Sequence, residues 1–113
     1  MATTATKHSD SGLSAIRWDW SLSNNDSGDA VDMHQYPDRC VTIKVNSGTP
    51  TVTLQGSNDG LSWAILTDYD GNNISFTSGT NIVGVRENTW YCRGVLGGTG
   101  TADVQLVGNG VRQ

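Results

Sequence analysis

A chain of 113 residues has room for one domain and one core, not two. A net charge of −4, with the seven Lys and Arg scattered along the chain, argues against nucleic acid as the main partner, because a phosphate-binding surface needs clustered cations. The apolar runs are only a few residues long, too short for a membrane span, and fourteen glycines among many Thr, Ser, Val and Asn favour strands and tight turns over helices.

Residues 1–12 are small and polar and read as a flexible N-terminal arm ending at Gly12. Met1 to Ser11 lack the apolar middle of a secretory signal, so synthesis in a cytoplasm is expected. From Leu13 to Leu22 the chain alternates, with Ile16, Trp18, Trp20 and Leu22 on one face of a half-buried strand and Arg17, Asp19 and Ser21 on the other. Ser23 to Asp38, rich in Asn, Asp and Gly, reads as a long polar loop carrying His34 and Tyr36, with a short helical turn over Ala30 to Tyr36 as the alternative. Beyond Arg39 the punctuation becomes regular. Val41, Ile43 and Val45 alternate, and Asn46 to Pro50 turns the chain into Val52 and Leu54. Ser57-Asn-Asp-Gly60 then signals a hairpin. The return strand is marked by Trp63 and Ile65 or by Leu61 and Leu66, before Asp68 to Gly71 turns it again. Ile74 with Phe76, Ile82 to Val85, Trp90 to Val95 and Ala102 to Val107 complete the strands, and Gly108 to Gln113 reads as a fraying tail. Strands at this spacing indicate an all-β, antiparallel β-sandwich, jelly-roll-like, over residues 13–113.

The residues that could carry catalysis do not converge in this pattern. His8 lies in the arm and His34 in the loop, where little fixes a base. Of the ten Asp, Asp26, Asp29, Asp59 and Asp70 stand beside Gly or Asn, where a carboxylate bonds its own turn. Asp68-Tyr-Asp70-Gly-Asn72 imitates the start of a calcium loop, but its glycine is misplaced and Gly79 stands where the closing carboxylate belongs. No metal, cofactor or catalytic residue is therefore assigned. Cys40 and Cys92 both fall in strand segments and are expected as free thiols in the core. The alternative disulfide would close a loop of about 50 residues. Four tryptophans serve first to fill a core, yet Tyr91 must face opposite to Trp90, so one of those rings reaches a surface.

The stretch Val52-Thr-Leu-Gln-Gly-Ser-Asn-Asp-Gly-Leu-Ser-Trp63 resembles a hairpin of discoidin-type galactose-binding-like domains. With Asn73-Ile-Ser-Phe-Thr77, Glu87-Asn-Thr-Trp-Tyr-Cys-Arg93 and Leu96-Gly-Gly-Thr-Gly-Thr101, residues 39–108 are similar to the cement or staple proteins that decorate the heads of short-tailed phages. That resemblance implies a structural role on the capsid exterior of a virion, bridging major capsid subunits and stabilising the expanded head. The arm, including Thr3, Lys7 and His8, would reach about 40 Å if extended. Contacts to the capsid would be made by these residues, by His34 and Tyr36, and by exposed rings among Trp18, Trp20 and Tyr91. Self-association follows, a dimer before a trimer. The rival expectation is a carbohydrate-binding module or phage-surface adhesin that contacts host glycans.

Overall fold

The computed structural model describes residues 2–9 and 15–110, and the side chains of all of these except residues 2, 3, 8 and 9. In chain order the strands are β1 (Ala2–Thr3), β2 (Thr6–Ser9), β3 (Ala15–Leu22), β4 (Asp26–Gly28), β5 (Val31–Asp32) and β6 (Asp38–Gly48), followed by β7 (Thr51–Ser57), β8 (Ala64–Ile65), β9 (Ser75–Phe76), β10 (Thr80–Val85), β11 (Tyr91–Gly97) and β12 (Gly100–Asn109). No helix forms among the described residues. One sheet runs β1-β4-β11-β7-β8, with β5 also on β11 and β9 also on β7. The other runs β10-β6-β12-β3-β2. Every pairing is antiparallel except β1 with β4. The chain passes from sheet to sheet at β1/β2, β3/β4, β5/β6, β6/β7, β9/β10, β10/β11 and β11/β12, and this repeated crossing gives the all-β sandwich its jelly-roll character.

Period-two alternation dictates what lies between the sheets. Ile16, Trp20 and Leu22 of β3, Val41 and Ile43 of β6, and Ala102, Val104 and Leu106 of β12 face Val52 and Leu54 of β7 and Cys92 and Leu96 of β11. Each fully buried Leu, Ile or Val contributes about 1.5–3 kcal/mol of transfer free energy. Trp20 is the largest of them. Its indole N–H donates to the Asp29 carbonyl at 2.9 Å, and its ring occupies the space a side chain at Gly28 would need, since a methyl group there would come within 2.4 Å of it.

Four expectations need correction. Residues 2–9 are not a free arm: β1 lies beside β4, and β2 pairs with β3 from Thr6 opposite Asp19 to Ser9 opposite Ile16. Residues 10–12 and the start of the expected domain at Leu13 lie outside the described residues. The segment 23–38 is not a wholly polar loop, because Val31 and Met33 are buried and β4 and β5 pair with β11. The tail starts later than expected, since Gly108 and Asn109 still belong to β12; residues 111–113 lie outside the described residues. Of the two thiols, both free, Cys92 is buried but Cys40 is exposed, because β6 alternates and Cys40 takes an outward position between Arg39 and Val41.

Candidate functional site

The outward positions of β7 and β11 form the centre of the candidate site. Tyr91 stands opposite Ser57 and Arg93 opposite Gln55. Arg93 donates from Nε and from one terminal nitrogen to Gln55 Oε1 at 3.0 and 2.9 Å, and its guanidinium lies 4.3 Å from the centre of the Trp63 ring. A cation over an indole is worth about 0.5–1 kcal/mol near the surface and holds both groups in one orientation. Burial pulls the Arg93 pKa down, although a guanidinium stays charged at any ordinary pH.

Trp63 is delivered by the β7–β8 turn, whose sequence builds its own hydrogen bonds. Ser57 Oγ accepts from the amides of Asp59 and Gly60 and donates to Asp59 Oδ1, which also accepts from the amides of Leu61 and Ser62 at 2.8 Å. The Ser62 and Leu61 amides, with the Ser57 hydroxyl, bring the Asp59 carboxyl down to about 2. The turn carries Leu61, 85% exposed, at its tip, and β8 adds Ile65 opposite Gln55.

On the other flank, His34 stacks on Trp90 with ring centres 4.1 Å apart and planes 8° from parallel, and Trp90 meets Tyr91 at 6.4 Å. Asp32 accepts from the His34 amide and pairs with its Nδ1. Desolvation pushes the Asp32 carboxyl upward, but hydrogen bonds from the His34 side chain and amide, its charge, and a bond from Trp90 together hold it below its ordinary value. Trp90 is 45% exposed. The result is a row of rings from His34 through Trp90 and Tyr91, continued on the same sheet face by Arg93 and Trp63.

Arg39 fixes the loops that carry this row. It is 2% exposed, at the inward end of β6, and it donates to the carbonyls of Tyr36 and Met33 at 2.7 Å and of Thr89 at 2.6 Å. Those carbonyls belong to the segment around His34 and to the residue before Trp90. The same guanidinium lies 3.6 Å from Cys92 Sγ. Desolvation lowers the Arg39 pKa and, more strongly than Arg39 opposes it, raises that of the Cys92 thiol. Met33 N donates to the Trp90 carbonyl, and the Trp90 amide donates to Asn58 Oδ1, so all three loops of the site are tied together.

The structure therefore gathers His34 and Tyr91 in one place and leaves the other expected contact residues elsewhere. Tyr36 is half-buried with its side chain against Gly108, and Trp20, 1% exposed, has no ring surface to offer a partner. Trp18 is partly buried against the core at the β2 edge, with the Lys7 ammonium 5.7 Å from its ring. Thr3 and His8 contribute backbone to β1 and β2, and their side chains lie outside those described. Trp63, Trp90, Arg93 and Arg39 were not singled out as site residues. Arg39 had a readable signal, being two residues ahead of Val41 on the inward parity of β6.

The opposite face of the sandwich is polar. Asp19, Ser21, Thr42, Lys44, Asp103 and Gln105 line a shallow depression of about 220 Å³. Its two carboxylates are engaged: Arg17 pairs with Asp19 at 3.1 Å, and Asp103 accepts from Ser21 at 3.2 Å and from Asn46 at 3.0 Å. In the Asp68 turn the carboxylate accepts from the amides of Asp70 and Asn72, as turn aspartates do. No cluster of three or more His, Cys, Asp or Glu suited to a metal occurs among the described residues.

No protein-family model matches the sequence, and no curated protein matches it. Solved structures do. The SPBc2 prophage-derived protein YomS superposes with a TM-score of 0.65 at 10% identity, over 83% of this chain and 93% of that one. A subunit of the disulfide-linked pili of Bacillus endospore appendages gives 0.50 at 13% identity, over 96% of this chain and 91% of that one. The cupin domain of Schizosaccharomyces pombe Cnp3 gives 0.49 at 6% identity; the match covers 95% of this chain but only 60% of that one. At such identities the likeness is one of fold. The chain thus shares its sandwich with a phage-derived protein and with a pilus subunit.

Proposed function

We propose that this protein is a non-catalytic structural component of a phage particle, which docks on the capsid exterior and bridges neighbouring major capsid subunits. The observation that carries this reading is the row His34, Trp90, Tyr91, Arg93 and Trp63, held on one sheet face by strands and by the Arg39-tied loops. Trp, Tyr and Arg are the residues that dominate binding energy at protein interfaces, and they do so best when ordered before contact. The Asp32–His34 pair supports a binding role over a catalytic one: among the described residues no hydroxyl or thiol bonds the imidazole, and one ring face is covered by Trp90. The fold shared with a prophage-derived protein is in keeping with this setting. Many copies around a shell add avidity, so each contact need not be strong.

The test mixes purified protein with expanded capsids of its own phage. Saturable binding that raises the shell's melting temperature is expected. Trp90→Ala and Trp63→Ala should each weaken it by about 2 kcal/mol, roughly thirtyfold. A second reading, glycan binding, is favoured by the same rings, which stand beside Gln55, Asn58 and Asp32 as polar partners. Affinity for a host polysaccharide without capsid binding would replace the first reading by the second.

A further inference from the structure

The five-stranded sheet ends in two unlike edges. At one, β2 carries Lys7 and His8, and a lysine on an edge discourages a further strand. At the other, β10 reads Thr-Asn-Ile-Val-Gly-Val from Thr80 to Val85, with no charge, no proline and no bulge in its register with β6. The hydrogen-bond parity of β10 is fixed at both ends. Val45 N donates to the Gly79 carbonyl, so the odd-numbered residues bond β6. Arg86 N turns the other way and donates to the Thr67 carbonyl. The amides and carbonyls of Thr80, Ile82 and Gly84 therefore point away from the sheet, with no recorded bond to another described residue. Ile82 is 65% exposed on the outer face beside them. Tyr69, 62% exposed, covers Gly84 so closely that a methyl group there would come within 2.4 Å of its ring.

We infer that β10 is a dimerisation edge, pairing antiparallel with β10 of a second copy of this chain to make one continuous sheet. A two-fold axis at Ile82 sets Ile82 against Ile82 and Thr80 against Gly84, giving about six backbone hydrogen bonds and an aliphatic contact on the outer face. Because the pairing strand is neutral, chains of net charge −4 meet without like charges opposed along it. The same register brings the Thr80 end of one copy, where Lys44 stands opposite, towards the Gly84 end of the other, where Tyr69 belongs to the Asp68–Asp70 turn. Arg86, whose guanidinium lies near Gly71, offsets part of that turn's charge. The occupant is thus a neutral strand of complementary hydrogen-bond parity with a lysine beside its Thr80 end, which a second copy supplies. This inference concerns a different surface from the aromatic row and stands whether or not that row meets a capsid.

The test is sedimentation equilibrium of the full chain, paired with amide hydrogen exchange. A dimer is expected, with the Ile82 and Gly84 amides exchanging more slowly as concentration rises. Ile82→Lys opposes two ammonium groups at the axis and should raise the dimer dissociation constant at least about tenfold, while its exposed position leaves the monomer folded. Trp90→Ala should leave the dimer unchanged. A monomeric wild type, a dimer indifferent to Ile82→Lys, or a dimer lost in Trp90→Ala would each overturn the assignment.

Discussion

The two outer faces of the sandwich are made from strands with the same alternation, yet they differ in what holds their side chains. On the five-stranded sheet the outward residues satisfy one another in the plane of the surface: Arg17 with Asp19, Ser21 and Asn46 with Asp103, Ser47 with Thr101. Such exposed pairs contribute little each, because water competes for every partner. On the seven-stranded sheet the rings are supported from beneath, by a buried guanidinium that gathers the carbonyls of the loops bearing them. A surface held only by its own side chains can rearrange at small cost. One held by a buried donor keeps its shape until the donor is removed, and that rigidity suits a face used for docking.

The comparison is most directly broken at Arg39. Arg39→Met keeps much of the side-chain volume but leaves buried carbonyls of Met33, Tyr36 and Thr89 without their donor. The expected loss is about 3–5 kcal/mol in urea unfolding, with a change in tryptophan fluorescence as the His34–Trp90 stack loosens. A loss below 1 kcal/mol would mean that the aromatic face does not depend on this residue.

A smaller effect is expected at Glu87, which ties the loop before Trp90 to Thr67 by accepting from the Thr67 amide at 2.8 Å and from its hydroxyl. Desolvation raises the Glu87 pKa, but the Thr67 hydroxyl and amide together bring it below its ordinary value. A folded-state pKa below the unfolded one stabilises the fold above about pH 4.3, and the gain is lost as pH falls through the folded value. Glu87→Gln should therefore cost about 1 kcal/mol at neutral pH, with wild type and variant converging as the solution is acidified through that window. A gap independent of pH would show that the carboxylate charge contributes nothing.

The smallest effect belongs to the polar face. Asp103→Ala removes two surface hydrogen bonds and should change stability by no more than about 0.5 kcal/mol, read as a shift in urea midpoint. A larger loss would erase the contrast between the faces.

How much of this was legible beforehand varies with the range of the interaction. The long strands β3, β6, β7, β10, β11 and β12 could be read because alternation and turn residues are local signals, as at Val41-Thr-Ile43-Lys-Val45. The short strands β4 and β5 could not, since two or three residues carry no periodicity and owe their conformation to the neighbour they pair with. Of the site, Tyr91 and Trp90 were expected on opposite faces and instead stand side by side, because Trp90 precedes β11 and escapes its alternation; His34 was placed in its loop. Their meeting depends on a tertiary contact between segments more than fifty residues apart.

The sequence by itself determined that this chain folds as strands, that apolar side chains on one parity would be sealed between two sheets, and that Ser57–Gly60 would turn, because those outcomes follow from side-chain direction and local hydrogen bonding. Only the tertiary structure decided which tryptophans surface, where Arg39 sends its donors and which sheet edge is left open. Those depend on register and on the crossing of the chain between sheets, which bring together groups distant in sequence and whose energies arise only after closure.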